Sequence, residues 1–276
     1  MRGHPMRFSF LFYEPIATLA ELDWRMGVLA GLGYRGIELS AFHPLPCAVE
    51  DVAALSRRHR LPVVSLLSGW SYSHEGLCLS SPNAAVRDGA VGRLIEYVGQ
   101  AEALGALVVV GLMQGLRSDE PDEAIANGRI AAALGRVAGE AERRGVSIAI
   151  EPVNHLQVGF NHSAAEAEAL AARVGSPALG FMLDTFHMNI EERSIEGAIR
   201  RHGPRARHVH LCETNGGPFG SGGLDFARVL SALGEAGYDG AVSVKVYRRA
   251  GWEDAARSAA EFLGGLGCGD FRSPAR

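Results

Sequence analysis

Short apolar runs alternate with longer amphipathic stretches along the whole chain. The runs are rich in β-branched residues and nearly continuous, which is typical of parallel strands buried on both faces. Eight strands are predicted on this basis: FSFLFY (8–13), GIELS (36–40), VVSLLS (63–68), LVVVGL (107–112), SIAIEP (147–152), LGFMLD (179–184), HVHLCE (208–213) and AVSVKV (241–246).

The stretches between the strands carry helix signals. Ser163 followed by Glu166 has the spacing of a capping box, and glycines such as Gly145 stand where helices should stop. Glu191 and Glu192 are expected to begin the sixth helix, where acidic groups complement the helix dipole. Helices are predicted near 18–32, 48–60, 83–104, 121–144, 163–174, 194–202, 224–236 and 252–265.

The regular alternation predicts an α/β fold, a single (β/α)8 TIM barrel. Its 276 residues form one domain, with about 267–276 as a frayed tail, and such barrels commonly need about 250 residues. An open doubly wound sheet is the alternative, but no GxGxxG follows the first strand. The longest connection, residues 69–83, is expected to cover an active site rather than to be disordered.

Charge, hydropathy and cysteine content argue against nucleic acid or a membrane as the partner of this protein. The formal charge of −4 offers no general attraction to nucleic acid or to an anionic membrane, and no stretch approaches the ~20 apolar residues of a membrane span. The four cysteines form no CxxC pair, and the first 15 residues lack a secretory h-region and cleavage site. A soluble, cytoplasmic protein with reduced thiols is therefore expected.

The last four predicted strands, five to eight, each end on or close to a polar residue. Glu151, Asp184 and His210 belong to strands five, six and seven, and Lys245 to strand eight. The carboxyl ends of barrel strands meet at one face, so these side chains should converge. Two carboxylates and an imidazole suit Mn, Zn, Fe(II), Co or Mg. The sequence thus predicts a three-ligand site for one divalent ion, with a cation where a fourth ligand is expected.

Other polar and aromatic residues lie in the adjoining loops. His208 shares a strand face with His210 and should lie deeper in the barrel, as a core or supporting residue rather than a ligand. Phe42 is expected to help wall the pocket. The remaining candidates are predicted to contact substrate: His187, Gln157, Glu213, Asn215, Trp70 and His43.

These residues carry a resemblance that covers nearly the whole chain. The stretches IEPVN, MLDTFHMNIEE, HVHLCETN and GGLDFARVL resemble the sugar isomerase and epimerase branch of the xylose isomerase-like TIM barrels, which includes ketose 3-epimerases, hydroxypyruvate isomerases and inosose dehydratases. The resemblance implies metal ligands at Glu151, Asp184 and His210 plus a second glutamate. It also implies two glutamates as an acid–base pair, and a homodimer or homotetramer.

Three positions depart from the family pattern. Lys245 replaces the second glutamate, Gln157 stands where 3-epimerases often have a glutamate, and Gly216 stands where many members have an arginine. Burial beside a dication should depress the pKa of Lys245, which would make it a second acid–base group. It could instead hold a substrate oxyanion, or pair with Glu151 in a metal-free barrel.

The leading hypothesis is a metal-dependent isomerase or epimerase of a small polyhydroxy carbonyl compound, with Glu151 and Lys245 as catalytic groups. Proton removal next to a carbonyl gives an enediolate, which a divalent ion, most simply Mn, would stabilise. A lyase of the inosose dehydratase type is the second hypothesis, because the same intermediate can expel a hydroxyl. A metal-free, non-catalytic binding or partner subunit is the third. An apurinic endonuclease is disfavoured by the negative charge and the scarcity of early ligands.

Overall fold

The structure is a computed structural model that describes residues 6–14, 16–40, 47–248, 251–268 and 271. Its strands form one parallel sheet that curls into a nearly closed barrel, because the first strand pairs with both the second and the last. The strands are β1 (Arg7–Phe12), β2 (Gly36–Ser40), β3 (Val63–Leu67), β4 (Leu107–Val110), β5 (Ile148–Ile150), β6 (Leu179–Phe181), β7 (Leu183–Asp184), β8 (Val209–Cys212) and β9 (Ala241–Lys245).

The sixth barrel strand is in two pieces. β6 pairs with β5, whereas β7 pairs with β8, and Met182 stands between them. The Met182 amide donates to the Ile150 carbonyl at 2.9 Å, and the Leu183 amide donates to the His208 carbonyl at 3.1 Å. The chain therefore changes partner within one strand and closes the barrel. The predicted TIM barrel is confirmed. It has nine strands instead of eight because β6 and β7 together form the sixth barrel strand.

Helices cover the outside of the barrel, and eight of them match the predicted ones to within two residues at either end. Two further helices of seven residues each were not predicted. The helices are α1 (Leu19–Leu32), α2 (Val49–His59), α3 (Gly69–Glu75), α4 (Ala84–Leu104), α5 (Glu123–Arg144), α6 (Ala164–Val174), α7 (Thr185–Glu191), α8 (Ile195–His202), α9 (Phe226–Glu235) and α10 (Trp252–Gly265).

The expectation that Glu191 and Glu192 begin a helix is wrong. Glu191 is the last residue of α7, and Glu192 follows it in an extended conformation. The helix starts earlier because the Asp184 side chain accepts a hydrogen bond from the Phe186 amide at 2.8 Å and caps it. α8 then begins after Ser194, whose hydroxyl accepts from the Gly197 amide.

The barrel interior is unusually polar below the site. The Ser9 and Ser243 hydroxyls lie 2.6 Å apart, and the Ser65 hydroxyl donates to the Glu38 carboxylate. All four side chains are fully buried. Since such interiors are commonly filled by branched apolar residues, a buried carboxylate among hydroxyls marks a place where polar function outweighs packing.

The apolar core lies between the barrel and its helices and extends as far as Phe271. Phe271, inside the segment expected to fray, is buried with its ring centroid 5.3 Å from that of Phe8 and 5.1 Å from that of Tyr34. The frayed-tail expectation is therefore wrong at this residue. Among the described residues, none of the helices is both long and apolar enough to cross a membrane.

Candidate active site

The predicted ligands converge at the carboxyl-terminal ends of the strands. Asp184 and His210 are direct register partners across β7 and β8, so the sheet itself places their side chains together. Glu151 follows β5 immediately, and its backbone amide donates to the Val110 carbonyl at 2.9 Å. Lys245 is the last residue of β9. All four are buried, with Glu151 and Lys245 keeping 7% and 6% exposure.

Three of these side chains have the spacing of a metal site. Nδ1 of His210 lies 3.1 Å from Oδ2 of Asp184 and 3.4 Å from Oε1 of Glu151. Atoms bound about 2.0–2.2 Å from one ion lie roughly 3.0–3.5 Å from each other, so the three donors can share a coordination sphere. The residues fit a divalent metal ion.

Lys245 contacts the same oxygens. Its Nζ donates to Oδ2 of Asp184 at 2.5 Å and to Oε1 of Glu151 at 3.4 Å. The closer partner is the aspartate, whereas the sequence suggested pairing with Glu151. Burial alone would lower the pKa of Lys245, but the charge of Asp184 outweighs it and holds the pKa well above its usual value. This direction holds for the chain without an ion, and the depression expected beside a bound dication stays a prediction.

The two carboxylates are held in their charged forms. Burial would raise the pKa of Glu151, but Lys245 and the neighbouring histidines outweigh it and hold the pKa well below 4.5. The same balance of burial against positive neighbours holds the pKa of Asp184 below its usual range. Both groups are therefore negatively charged near neutral pH and can bind a cation.

His210 is oriented by a carboxylate beneath it. Oε1 of Glu38 lies 3.0 Å from Nε2 of His210 and 2.9 Å from Nε2 of His208. A carboxylate can only accept, so Nε2 of His210 carries a proton and Nδ1 faces the site. In the absence of an ion, burial would lower the pKa of His210, but Glu38 and the other carboxylates raise it well above 6.5.

His187 has the opposite orientation. Nδ2 of Asn154 lies 2.8 Å from Nδ1 of His187, and the Asn154 side-chain oxygen accepts from the Leu156 amide at 3.1 Å. The orientation of the Asn154 side-chain amide is thus fixed with its NH₂ group toward His187, and Nδ1 of His187 must accept. Nε2 therefore carries the proton, 3.6 Å from Oε1 of Glu151 and 3.8 Å from Oδ2 of Asp184.

Two groups of three side chains in the described part of the chain lie close enough to hold a metal ion. One contains Glu151, Asp184 and His187, and the other contains Glu38, His208 and His210. We favour a third combination, Glu151, Asp184 and His210, because Glu38 holds the proton on Nε2 of His210 and leaves Nδ1 as the nitrogen that a metal ion can take over. Nδ1 of His187 instead accepts from Asn154, so its Nε2 turns a proton toward the site. His208 is a supporting residue, as its position in the strand suggested.

A cavity of about 410 Å³ opens above these groups. Glu151, His187 and Lys245 belong to its polar lining, and its volume suits a small molecule. The predicted contacts Gln157 and Trp70 also line it. The long connection after β3 contributes α3 to the cavity wall, through Trp70, Ser73 and His74. That this segment covers an active site stays a prediction. His43 and Phe42 lie outside the described residues.

Glu213 and Asn215 are not among the described residues that line the cavity. The buried Glu213 carboxylate accepts from the amides of Thr214, Gly220 and Leu224 at 2.8, 3.1 and 2.9 Å. Asn215 accepts from the Gly217 amide at 2.8 Å. Both residues organise the glycine-rich loop that follows β8. Most amides of that loop donate to oxygens of the loop itself or of the residues just before it.

Gly216 lies where the resemblance expects an arginine, and an aromatic ring fills the space beside it. A Cβ on Gly216 would lie 2.3 Å from Cζ of Tyr247, and the residue has φ +70°. Tyr247 in turn packs edge-to-face against Phe186 and lines the cavity. At this side of the cavity the lining residue is therefore Tyr247.

Sequence reasoning missed three residues that build the site. Glu38 could have been found, because a carboxylate in the buried run GIELS needs partners. Asn154, which orients His187, carried no such signal. Gly111 leaves room for the Glu151 carboxylate, since a Cβ at Gly111 would lie 2.5 Å from Oε2 of Glu151.

Comparison with known proteins gives a consistent result. A family model described as the xylose isomerase-like TIM barrel matches residues 27–265. The chain belongs to this family. It is 32% identical to an L-ribulose 3-epimerase from Mesorhizobium japonicum over 213 residues, which cover 76% of the chain and 71% of the relative. It is 31% identical to a ketose 3-epimerase from Arthrobacter globiformis over 212 residues, which cover 76% and 72%.

A solved structure of L-ribulose 3-epimerase superposes with a TM-score of 0.85 at 26% identity. The match covers 95% of this xylose isomerase-like chain and 94% of that one. These named relatives are isomerases, and the family membership that the sequence motifs suggested is confirmed.

Proposed function

We propose that this protein is an epimerase or isomerase of a small ketose that moves a proton next to the carbonyl group. One observation supports this most directly: Glu151, a buried carboxylate held in its charged form, reaches the cavity beside the proton donors His187 and Lys245. A charged base next to two donors is the arrangement that enediolate chemistry needs. The relatives' names, ketose and L-ribulose 3-epimerases, favour carbon 3 of a ketose.

In this proposal Glu151 takes the proton from carbon. The Nε2–H of His187 donates to a substrate oxygen as negative charge develops there. Lys245 is the second acid–base group or the partner of the oxyanion. A divalent ion, Mn first and Zn, Co, Fe or Mg as alternatives, would be held by Glu151, Asp184 and His210 and would supply Lewis-acid polarisation of the carbonyl.

The substrate is proposed to be unphosphorylated. Phosphate sites usually use arginine or lysine side chains or free backbone amides. The described cavity lining contains no arginine, and its one lysine is paired with Asp184. In the glycine-rich loop after β8, the Gly217 and Gly220 amides already donate to Asn215 and Glu213.

The proposal is tested by incubating the purified protein with Mn²⁺ and a panel of ketopentoses and ketohexoses, followed by chromatographic separation of the products. The expected product is a C3 epimer that Glu151→Gln does not form, while Glu235→Gln, on the exposed face of α9, forms it at the wild-type rate. Loss of water from the substrate would favour the lyase alternative. No product from any sugar or cyclitol would favour a binding subunit. The cytoplasmic location and a homodimer or homotetramer remain predictions.

A further inference from the structure

Lys245 is the only lysine of the chain, and the other members of its 27 lysine and arginine residues are all arginines. This single ammonium group ends β9 and lies on the cavity lining, with 6% of the residue exposed. Its contacts are with metal-binding atoms: Oδ2 of Asp184 at 2.5 Å and Oε1 of Glu151 at 3.4 Å.

The ammonium and a metal ion need the same two oxygens. Those oxygens are also the ones nearest to Nδ1 of His210, at 3.1 and 3.4 Å. An ion about 2.0–2.2 Å from Oδ2 of Asp184 would lie within roughly 4–5 Å of the ammonium nitrogen. Two cations at such a separation in a buried site repel each other strongly. The observed contacts of Lys245 and an ion bound to Asp184 are therefore alternatives.

The Lys245 side chain has open space beside it. Lys245 borders the cavity, and a flexible four-carbon stem lets its amino group leave Asp184 without a change in β9. From the cavity wall the ammonium would face the space where substrate binds.

We infer that Lys245 is an internal cation that competes with the metal ion for Asp184 and Glu151. Binding of the ion displaces the ammonium from Asp184 and turns it toward the cavity. Without an ion, the ammonium neutralises the two carboxylates and keeps the site assembled. This inference rests on the metal site of the proposed function, but it concerns ion binding and not the sugar reaction.

The affinity for Mn²⁺ tests the competition. The full chain is stripped with a chelator and titrated with Mn²⁺ by calorimetry, as wild type, Lys245→Met and Lys245→Gln. Both variants are expected to bind Mn²⁺ at least tenfold more tightly than wild type. Arg248→Met, which removes an exposed positive charge outside the carboxylate pair, should bind as wild type does. Equal affinity of wild type and the Lys245 variants would overturn the inference.

A second measurement uses the wild-type protein and does not depend on the folding of a variant. Protein grown on ε-¹³C-lysine has one lysine signal, which belongs to Lys245. Addition of diamagnetic Zn²⁺ is expected to shift this signal in proportion to the ion bound, and Asp184→Asn should abolish both the binding and the shift. Saturation with Zn²⁺ without any change in the signal would overturn the inference. Sugar turnover is measured separately, so a failed competition leaves the epimerase proposal standing, and a failed epimerase assay leaves the competition standing.

Discussion

Nε2 of His210 lies 3.0 Å from Oε1 of Glu38, deep inside the barrel. Its other ring nitrogen, Nδ1, lies 3.1 Å from Oδ2 of Asp184. The imidazole thus links a buried carboxylate to the two carboxylates of the proposed metal site, and Glu38 fixes which nitrogen would face an ion. This arrangement makes Glu38 a positioning residue, although it does not touch the cavity.

Glu38→Gln should weaken metal binding about tenfold, since the loss of a carboxylate behind a ligand histidine typically costs 10–100-fold in affinity. The measurement is the dissociation constant for Mn²⁺ by calorimetry. Glu235→Gln, on the protein surface, provides the control and should bind as wild type does. Unchanged affinity in Glu38→Gln, with the variant folded, would mean that His210 needs no carboxylate to hold its orientation.

His187→Ala should lower kcat about 100-fold and leave one ion bound per chain. The physical reason is its tautomer: Nε2 presents a proton and contributes a donor to the developing oxyanion, not a metal ligand. His210→Ala should instead lose the ion. Metal content by plasma mass spectrometry, together with initial rates, separates the two residues. Loss of the ion in His187→Ala would show that the tautomer assignment is wrong.

Gly216→Ala should destabilise the protein more than Gly237→Ala. Both glycines have φ +70°, so both variants incur the same backbone strain, of about 1 kcal/mol. Gly237 has open space, whereas a Cβ on Gly216 would meet the Tyr247 ring. That clash should cost roughly a further 1–3 kcal/mol, or displace Tyr247 and raise KM. Urea denaturation of the two variants provides the comparison, and equal losses of stability would refute a close fit between Gly216 and Tyr247.

The stability of the metal-free protein should fall as the pH drops below about 4.5. Burial would raise the pKa of Glu38, but its two histidine partners hold it well below 4.5 in the folded state. A carboxyl with a lowered folded pKa contributes stability above its unfolded pKa and loses it as the pH falls toward the folded one. Glu38→Gln should therefore show a shallower loss of unfolding free energy between about pH 5 and pH 3. An identical slope in wild type and variant would contradict this.

The strands and long helices could be predicted because apolar runs mark the strands and glycines mark the helix ends. GIELS and VVSLL are buried runs, and helices such as Ala84–Leu104 end at a glycine with a left-handed backbone. The short helices α3 and α7 were missed because seven residues carry too little periodicity. α7 begins directly after Asp184, which the sequence marks as a metal ligand and which also caps the helix.

The candidate site was only partly predictable. The strand ends identify Glu151, Asp184, His210 and Lys245, because parallel strands deliver their last residues to one face. Which carboxylate pairs with Lys245 depends on side-chain distances that no sequence pattern encodes. The same is true of Glu213, whose loop position suggested a substrate contact and whose carboxylate instead binds backbone amides.

The incorporation of solvent deuterium at C3 of a ketose tests the central claim most directly. Metal-loaded protein is incubated with L-ribulose and D-psicose in D₂O, and the C3 proton is followed by NMR. The account predicts that this proton is lost as the C3 epimer appears, and that Glu151→Gln slows the exchange at least 1,000-fold, the upper part of the range for general base catalysis. Epimer formed without deuterium, or exchange that persists in Glu151→Gln, would contradict proton transfer by Glu151.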